Sequence, residues 1–330
     1  MLSNGTTTAA HGRRGRGHAR HRRRLAAAAT GLAAALGLGL SSLTADRASA
    51  SPETAAAGTT EQTGPVQTDF VSAFRYSLTH PTAVPAGAND WSCRPGAAHP
   101  HPVVLVHGTF ENRYANWAGL APRLKEAGYC VYALNHGGAE GAPLQGTGDI
   151  VASAGQLASF VDRVRAATGA AEVDLVGHSQ GGLMPRYYID RLGGAAKVHR
   201  LVSLTSPHHG TTLQGMGLLA RAVPGADDLF GASCRACEQQ IVASDFLRDL
   251  NSGEMAHPAV DHTVVTTVHD QVVTPFTSSY LPPSAHVTNH TVQTYCLTNR
   301  SDHTTISYDP VAARLVLNAL DPAHARRPGC

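Results

Sequence analysis

The sequence VDLVGHSQGG, at residues 173–182, contains the strongest structural signal in the chain. Its first four residues are predicted to form a strand, and residues 180–192 are predicted to form a helix. Between strand and helix lies the pattern Gly-X-Ser-X-Gly at 177–181, whose glycines permit a sharp turn. The pattern predicts that Ser179 presents its hydroxyl at the N-terminus of that helix.

Short apolar runs and helical periodicity alternate on both sides of this turn. Apolar residues between Ile150 and Val164 step by three or four and predict an amphipathic helix that Gly169 ends. Strands are predicted at 102–106, 130–134, 173–176, 198–204, 263–268 and 287–292, and further helices at 117–127, 180–192 and 310–320. This alternation predicts an α/β fold, with a mainly parallel central sheet and helices on both faces.

The predicted domain organisation follows from where the alternation of strands and helices starts, is interrupted and ends. Residues 208–260 lack a strand pattern and predict a cap insertion, although ordinary helices packed on the sheet are an equal alternative. We expect a disordered lead-in at 51–69, one domain at 70–322 and a C-terminal tail at 323–330.

The first fifty residues are expected to be an export signal. Seven arginines between positions 13 and 24 precede an apolar run over 25–43, and Ala48-Ser49-Ala50 offers a small-residue cleavage site. We therefore expect a secreted protein cleaved after Ala50, with an uncleaved anchor as the alternative and the general or twin-arginine route left open.

Removal of this segment changes the charge of the protein. Eight of the 26 basic and one of the 24 acidic residues precede position 51, which leaves 18 basic and 23 acidic residues and a net charge of −5. No nucleic-acid-binding motif is present, so we expect no nucleic-acid partner. Because the apolar leader is expected to be removed, we also expect no integral membrane segment in the mature chain.

All cysteines follow the export segment. An even number in a secreted chain predicts three disulfides, and six cysteines allow 15 pairings that spacing alone leaves open. The CxxC pattern at 234–237 also allows a zinc or redox site, but no second CxxC accompanies it. The six are Cys93, Cys130, Cys234, Cys237, Cys296 and Cys330.

A serine nucleophile needs a base to take its proton and an acid to orient that base, in the chain order Ser, Asp or Glu, His for this type of turn. Asp270 follows the predicted strand at 263–268 and is the expected acid. Asp261 precedes that strand, at the wrong edge of the sheet, and Asp302 adjoins the expected base.

His303 is the expected base because it lies in a polar loop between the last strand and the last helix. Chain order disfavours four other histidines, and four more are assigned structural or surface roles. These are His257, His262, His286 and His290, and then His178, His208, His209 and His269.

Attack by the serine creates an oxyanion, which requires preorganised N–H donors. Gln180, the residue after the nucleophile, supplies one donor. Thr109, in the loop after the strand at 102–106, is expected to supply its backbone N–H and its hydroxyl.

Five segments together resemble the secreted actinobacterial lipases and esterases of the α/β-hydrolase superfamily, and more distantly a fungal lipase B. They are PVVLVHGTFENRYANWAGLAPRLKEAGYCVYALNHG (102–137), VDLVGHSQGG (173–182), LTSPHHGT (204–211), HDQVVTP (269–275) and SDHTTISYDP (301–310). The resemblance implies an α/β-hydrolase fold with a cap or lid, a Ser179–Asp270–His303 triad and an oxyanion hole at Thr109 and Gln180. It also implies the pairs Cys93–Cys130, Cys234–Cys237 and Cys296–Cys330.

The resemblance further implies a serine ester hydrolase, most simply a lipase acting on medium- or long-chain acylglycerols at a lipid–water interface. It implies no cofactor, no metal and a monomer. An acyltransferase using the same acyl-enzyme, or a non-catalytic binding protein with this fold, are the alternatives.

Overall fold

The computed structural model describes residues 61–223 and 234–330, and within them six strands form one sheet. Every neighbouring pair is parallel, in the order β2-β1-β3-β4-β5-β6. The strand that precedes Ser179, β3, is therefore central, and the expected α/β fold is confirmed. The strands are β1 Val103–Val106, β2 Val131–Leu134, β3 Val173–His178, β4 Val198–Leu204, β5 Asp261–Thr266 and β6 Val287–Thr291. The predicted export signal lies outside the described residues.

Helices connect these strands and cover the sheet. The α-helices are α1 Phe70–Thr79, α2 Arg113–Trp117, α3 Leu120–Glu126, α4 Ile150–Thr168, α5 Gln180–Arg191, α6 Leu213–Ala222, α7 Arg235–Gln239, α8 Asp245–Leu250, α9 Val292–Tyr295 and α10 Pro310–Leu320. Short 3₁₀ segments occur at Gly194–Ala196, Phe276–Ser279, Thr305–Tyr308 and Pro322–His324.

The core lies on both faces of the sheet. Val104 and Val106 of β1 pack in the cluster that includes apolar residues of α4 and α5, whereas Val103 and Leu105 pack with α3 and α10. Since alternate side chains of a strand point to opposite faces, a strand covered on both sides needs apolar residues at every position. This explains the uninterrupted apolar runs in the sequence.

The predicted helix over 117–127 is wrong as a single element, because α2 and α3 are separate. Gly119 lies at the break, where an added Cβ would come within 2.7 Å of the ring of Tyr308. The hydroxyl of Tyr308 donates to the carbonyl of Ala115 at 2.6 Å, so this ring holds the interruption in place.

The predicted strand at 263–268 is displaced by two residues, because β5 runs from Asp261 to Thr266. Its pairing with β4 begins at Arg200 and Asp261, two polar residues that hydrophobicity does not mark as strand. The chain then leaves the sheet at Thr267, whose hydroxyl donates to the carbonyl of Ser301 at 2.7 Å.

The described part of the expected lead-in, residues 61–69, is attached to the domain. Thr63 forms a bridge with Val84, and the hydroxyl of Tyr114 donates to the carbonyl of Pro65 at 2.6 Å. The folded part therefore begins before Phe70, while residues 51–60 lie outside the described residues.

The segment expected to be a cap contains α6, α7 and α8, and its residues 224–233 lie outside the described part. Met216 and Leu219 of α6 belong to the same core cluster as the sheet residue Leu175. Whether the segment acts as a cap stays a prediction.

The outer edge of β2 is closed by a side chain. The amide of Asn89 accepts from the N–H of Ala133 at 2.8 Å and donates to its carbonyl at 3.1 Å. The backbone N–H of Asn89 also donates to the carbonyl of Val131. Asn89 thus forms hydrogen bonds with backbone groups of β2 that a neighbouring strand would otherwise form.

The six cysteines pair as Cys93–Cys130, Cys234–Cys237 and Cys296–Cys330. The CxxC cysteines are therefore bonded to each other. No helix within the described residues combines the length and apolar character needed to cross a bilayer.

Candidate active site

Ser179 lies in the sharp turn between β3 and α5, with a positive φ of 53°. This conformation is uncommon for a residue with a Cβ and is found at functional turns. A Cβ on Gly177 would overlap the carbonyl oxygen of Gly181, and one on Gly181 would overlap that of Val106. Only glycine fits at these two positions, which is the physical reason for the Gly-X-Ser-X-Gly pattern.

A continuous hydrogen-bonded chain links the expected triad. Nε2 of His303 lies 3.0 Å from Oγ of Ser179, and Nδ1 lies 3.0 and 3.1 Å from the two carboxylate oxygens of Asp270. The exposed fractions are 2% for Ser179, 6% for Asp270 and 0% for His303. The three side chains are thus in proton-transfer geometry in a site shielded from water.

Asp270 is held by the turn that follows β5. Its Oδ1 accepts from the backbone N–H groups of Val272 and Val273 at 2.9 and 2.8 Å. These bonds fix the carboxylate while it contacts Nδ1 of His303, an arrangement that favours a proton on Nδ1 and an acceptor at Nε2, which faces Ser179.

The two rival acids lie elsewhere. Asp261 begins β5 at the opposite end of the strand and contacts Nδ1 of His286 at 3.2 Å. Asp302 caps the turn after it, accepting from the N–H and hydroxyl of Thr305. Burial opposes ionisation of Asp302, but the hydrogen bonds from Thr305 lower its pKa.

The loop after β1 lies directly against Ser179. A Cβ on Gly108 would stand 3.2 Å from Cβ of Ser179, and the N–H of Gly108 donates to Oδ1 of Asn116 at 3.0 Å. Gln180 begins α5, and its side chain donates to the carbonyl of Gly146 at 3.0 Å, outside the turn itself.

The hydroxyl of Thr109, also in this loop, is oriented by Gln240. Nε2 of Gln240 lies 3.0 Å from the carbonyl of Ala236, which can only accept, and 2.9 Å from Oγ1 of Thr109. The amide therefore donates to both oxygens. Because the Thr109 oxygen accepts from Gln240, its own proton is left for another acceptor.

A buried pair lies behind Ser179 and His303. Nδ1 of His178 is 3.1 Å from Oε2 of Glu111, and Nε2 is 2.7 Å from the backbone carbonyl of His303. Both side chains are almost fully buried, at 1% exposure each. Burial alone would lower the pKa of His178, but the Glu111 carboxylate overcomes it and raises the pKa.

Four further buried histidines have a lowered pKa. The rings of His107 and His136 stack with centroids 4.1 Å apart, and burial lowers the pKa of both, that of His136 to about 4. Burial also lowers the pKa of His208, and that of His262 to about 3. Within residues 61–223 and 234–330, no group of histidine, cysteine and acidic residues gathers to hold a metal ion.

Neither Glu111 nor Gln240 was predicted from the sequence, and His178 was predicted to have only a structural or surface role. Glu111 had a detectable signal, since it is an isolated acid beside the predicted oxyanion loop. Gln240 had none, because its contact with Thr109 spans 131 residues.

Known proteins with similar sequences are described as lipases. Residues 100–315 match the family model described as "Lipase (class 2)". A triacylglycerol lipase of Pseudarthrobacter phenanthrenivorans is 38% identical over 126 residues, covering 35% of this chain and 35% of that protein. One from Burkholderia plantarii is 38% identical over 126 residues, covering 35% and 32%. The chain thus matches these curated relatives over about a third of their length.

Solved structures show the same fold. Lipase B of Aspergillus fumigatus superposes with a TM-score of 0.58 at 22% identity, over 75% of this chain and 56% of that one. A mature lipase of Bacillus licheniformis superposes with a TM-score of 0.50 at 16% identity, over 71% and 95%. The expected α/β-hydrolase fold is confirmed. Because the matched family model covers more than half of the chain, this protein belongs to the class 2 lipase family.

Proposed function

We propose that this protein is a secreted serine carboxylic-ester hydrolase, a lipase acting on medium- or long-chain acylglycerols. The observation that carries the proposal is the chain of hydrogen bonds from Asp270 through His303 to Ser179. A binding protein would need none of these three side chains in proton-transfer geometry.

In the proposed reaction, Oγ of Ser179 attacks the ester carbonyl carbon while Nε2 of His303 takes its proton. The tetrahedral intermediate collapses as His303 returns that proton to the departing alcohol, leaving an acyl-serine. Water then attacks the acyl carbon and gives its proton to His303, which passes it to Ser179 as the fatty acid leaves. Asp270 stays ionised and stabilises the imidazolium in both halves.

The oxyanion formed in both halves would be bound by Thr109 and Gln180. Gln180 offers a backbone N–H at the N-terminus of α5, where the helix dipole also favours negative charge. Thr109 offers a backbone N–H and a hydroxyl whose proton is free because Gln240 occupies its oxygen as a donor. Preorganised donors of this kind need not reorient as the charge develops.

The substrate class comes from the relatives, two of which are named triacylglycerol lipases. Three disulfides agree with a protein that folds in an oxidising compartment, which supports the proposed secretion.

The proposal is tested with a fluorophosphonate and with p-nitrophenyl esters. We expect the probe to label Ser179 in the folded protein, and Ser179→Ala to abolish both labelling and ester hydrolysis. Ser159→Ala, on the exposed side of α4, is the matched control and should behave as the wild type. Equal hydrolysis by wild type and Ser179→Ala would refute the proposal.

Substrate range needs a separate measurement. Rates on a series from acetyl to stearoyl esters, and on emulsified triacylglycerols, should favour the medium and long chains. A preference confined to acetyl esters would contradict the lipase assignment while leaving the ester hydrolase intact. Product analysis with excess alcohol at limiting water would detect acyl transfer.

A further inference from the structure

The Glu111–His178 pair is not required by the proposed chemistry, yet it reaches the catalytic loop. His178 precedes the nucleophile in the chain, and its ring lies between the Glu111 carboxylate and the backbone carbonyl of His303. The centroid of its ring is 5.1 Å from that of the His303 ring. One buried side chain therefore links the first loop, the nucleophile turn and the loop of the base.

The hydrogen-bond partners fix the protonation of this ring. A carboxylate oxygen and a carbonyl oxygen are both acceptors, so each nitrogen of His178 must carry a proton to bond its partner. With Glu111 as the carboxylate counter-ion, we infer that His178 is an imidazolium, in agreement with the direction in which Glu111 moves its pKa. The bond from a cationic ring to the His303 carbonyl is charge-assisted and, at 2.7 Å, short.

The backbone of His303 makes few other hydrogen bonds. The N–H of His303 contacts Oε1 of Gln271 only at 3.4 Å, so the carbonyl bond to His178 is the shorter of its two backbone contacts. Since His178 and Ser179 are adjacent, this bond ties the backbone of the base to the nucleophile turn.

We propose that His178 and Glu111 are positioning residues, a buried cation–carboxylate pair that holds His303 at proton-transfer distance from Ser179. Glu111 has a second role in this arrangement. A lone imidazolium beside His303 would oppose its protonation during acylation, and the carboxylate of Glu111 cancels that charge. This inference rests on the proposed function, because it assumes that His303 acts as the base.

The first test compares His178→Leu with His178→Gln on a water-soluble p-nitrophenyl ester. Leucine removes the donor to the His303 carbonyl, and we expect kcat to fall about tenfold to a hundredfold, with KM little changed, as for small misplacements of a catalytic group. Glutamine places an amide N–H near the same carbonyl and should restore most of kcat. Wild-type kcat in both variants, or an equal loss in both, would overturn the proposal.

His262→Leu is the matched control, since it replaces a buried histidine of β5 that has no side-chain hydrogen bond in the described structure. It should keep the wild-type kcat even if the melting temperature falls. A loss of kcat equal to that of His178→Leu would show that any buried histidine matters and would overturn the proposal.

A spectroscopic test needs no change at His178. In nitrogen-15 NMR of histidine-labelled protein at neutral pH, both ring nitrogens of His178 should carry protons. Glu111→Gln should remove one of them, and an unchanged spectrum would overturn the proposal. The outcome is separable from that of the proposed function: inactive Ser179→Ala with fully active His178→Leu rejects only the positioning role.

Discussion

At the scale of single residues, the two acids near His303 differ in what their oxygens face. Both oxygens of Asp270 lie within 3.1 Å of Nδ1 of His303. The oxygen Oδ1 of Asp302 instead accepts from Thr304 and Thr305, which shapes the turn that follows the base. The two carboxylates should therefore be separable by substitution.

Asp270→Asn should lower kcat about 10⁴-fold, because an amide facing Nδ1 can stabilise the tautomer that cannot accept the serine proton. The carbonyl of the new side chain can still accept from Val272 and Val273, so the turn should survive. Steady-state rates on a p-nitrophenyl ester check this. Asp302→Asn is the control and should change kcat little. The reverse order of effects would make Asp302 the acid.

Chain order predicted Ser179, Asp270 and His303 as the triad because the carboxyl ends of parallel strands meet at one edge of a sheet. That argument concerns where loops lie, so it could not find side chains that support the site from behind. The bond between His178 and Glu111 spans 67 residues, and no spacing rule connects two such positions.

At the scale of elements, α4 has one glycine inside it and a second at its C-cap, with opposite consequences. Gly155 lies inside the helix with open space around its α-carbon, whereas Gly169 caps the C-terminus in the left-handed region at φ 75°. A helix interior favours alanine over glycine, and a left-handed cap favours glycine.

Gly155→Ala should raise the free energy of unfolding by about 0.5–1 kcal/mol, since alanine loses less backbone freedom on folding. Gly169→Ala should lower it by about 1 kcal/mol, because a Cβ is strained at that φ even where space is open. Urea unfolding of both variants checks the pair. A stabilising Gly169→Ala would contradict the observed cap.

Elements bounded by strong local signals were predicted closely from the sequence. The strand at 198–204 and the helix at 310–320 have the predicted bounds. The break between α2 and α3 was not predictable, because its cause is the ring of Tyr308, which reaches Ala115 from 193 residues away. Tertiary packing overrides local periodicity there.

At the scale of the whole molecule, buried histidines make stability depend on pH in two directions. Burial lowers the pKa of His136 to about 4 and that of His262 to about 3, from an unfolded value near 6.5. Between these values the unfolded chain binds more protons, so this stability is present above pH 6.5 and lost as pH falls. His178 has the opposite sign, because its raised pKa gives stability below pH 6.5 that is lost as pH rises through the folded pKa.

Below pH 6.5 His178 is protonated in both the folded and the unfolded chain, so the histidines with a lowered pKa set the sign, and the free energy of unfolding should fall as pH drops from 6.5 towards 4. Each should contribute a slope of about 1.4 kcal/mol per pH unit. His262→Leu removes one proton-binding site from the unfolded chain and should flatten the curve by about that amount. Denaturant titrations at several pH values check the slope, and an unchanged slope would contradict the neutral state of His262.

The side chain of Asn89 has a consequence for crowded solutions. Both β2 and β6 are edge strands, but Asn89 occupies backbone groups of β2, which leaves β6 as the edge more open to a further strand within residues 61–223 and 234–330. Growth into a fibril requires two open sheet edges on each molecule, one that pairs with the preceding copy and one that pairs with the next. A molecule with a single open sheet edge can pair with only one other copy. Any strand-to-strand association should therefore end at two copies rather than continue into a filament.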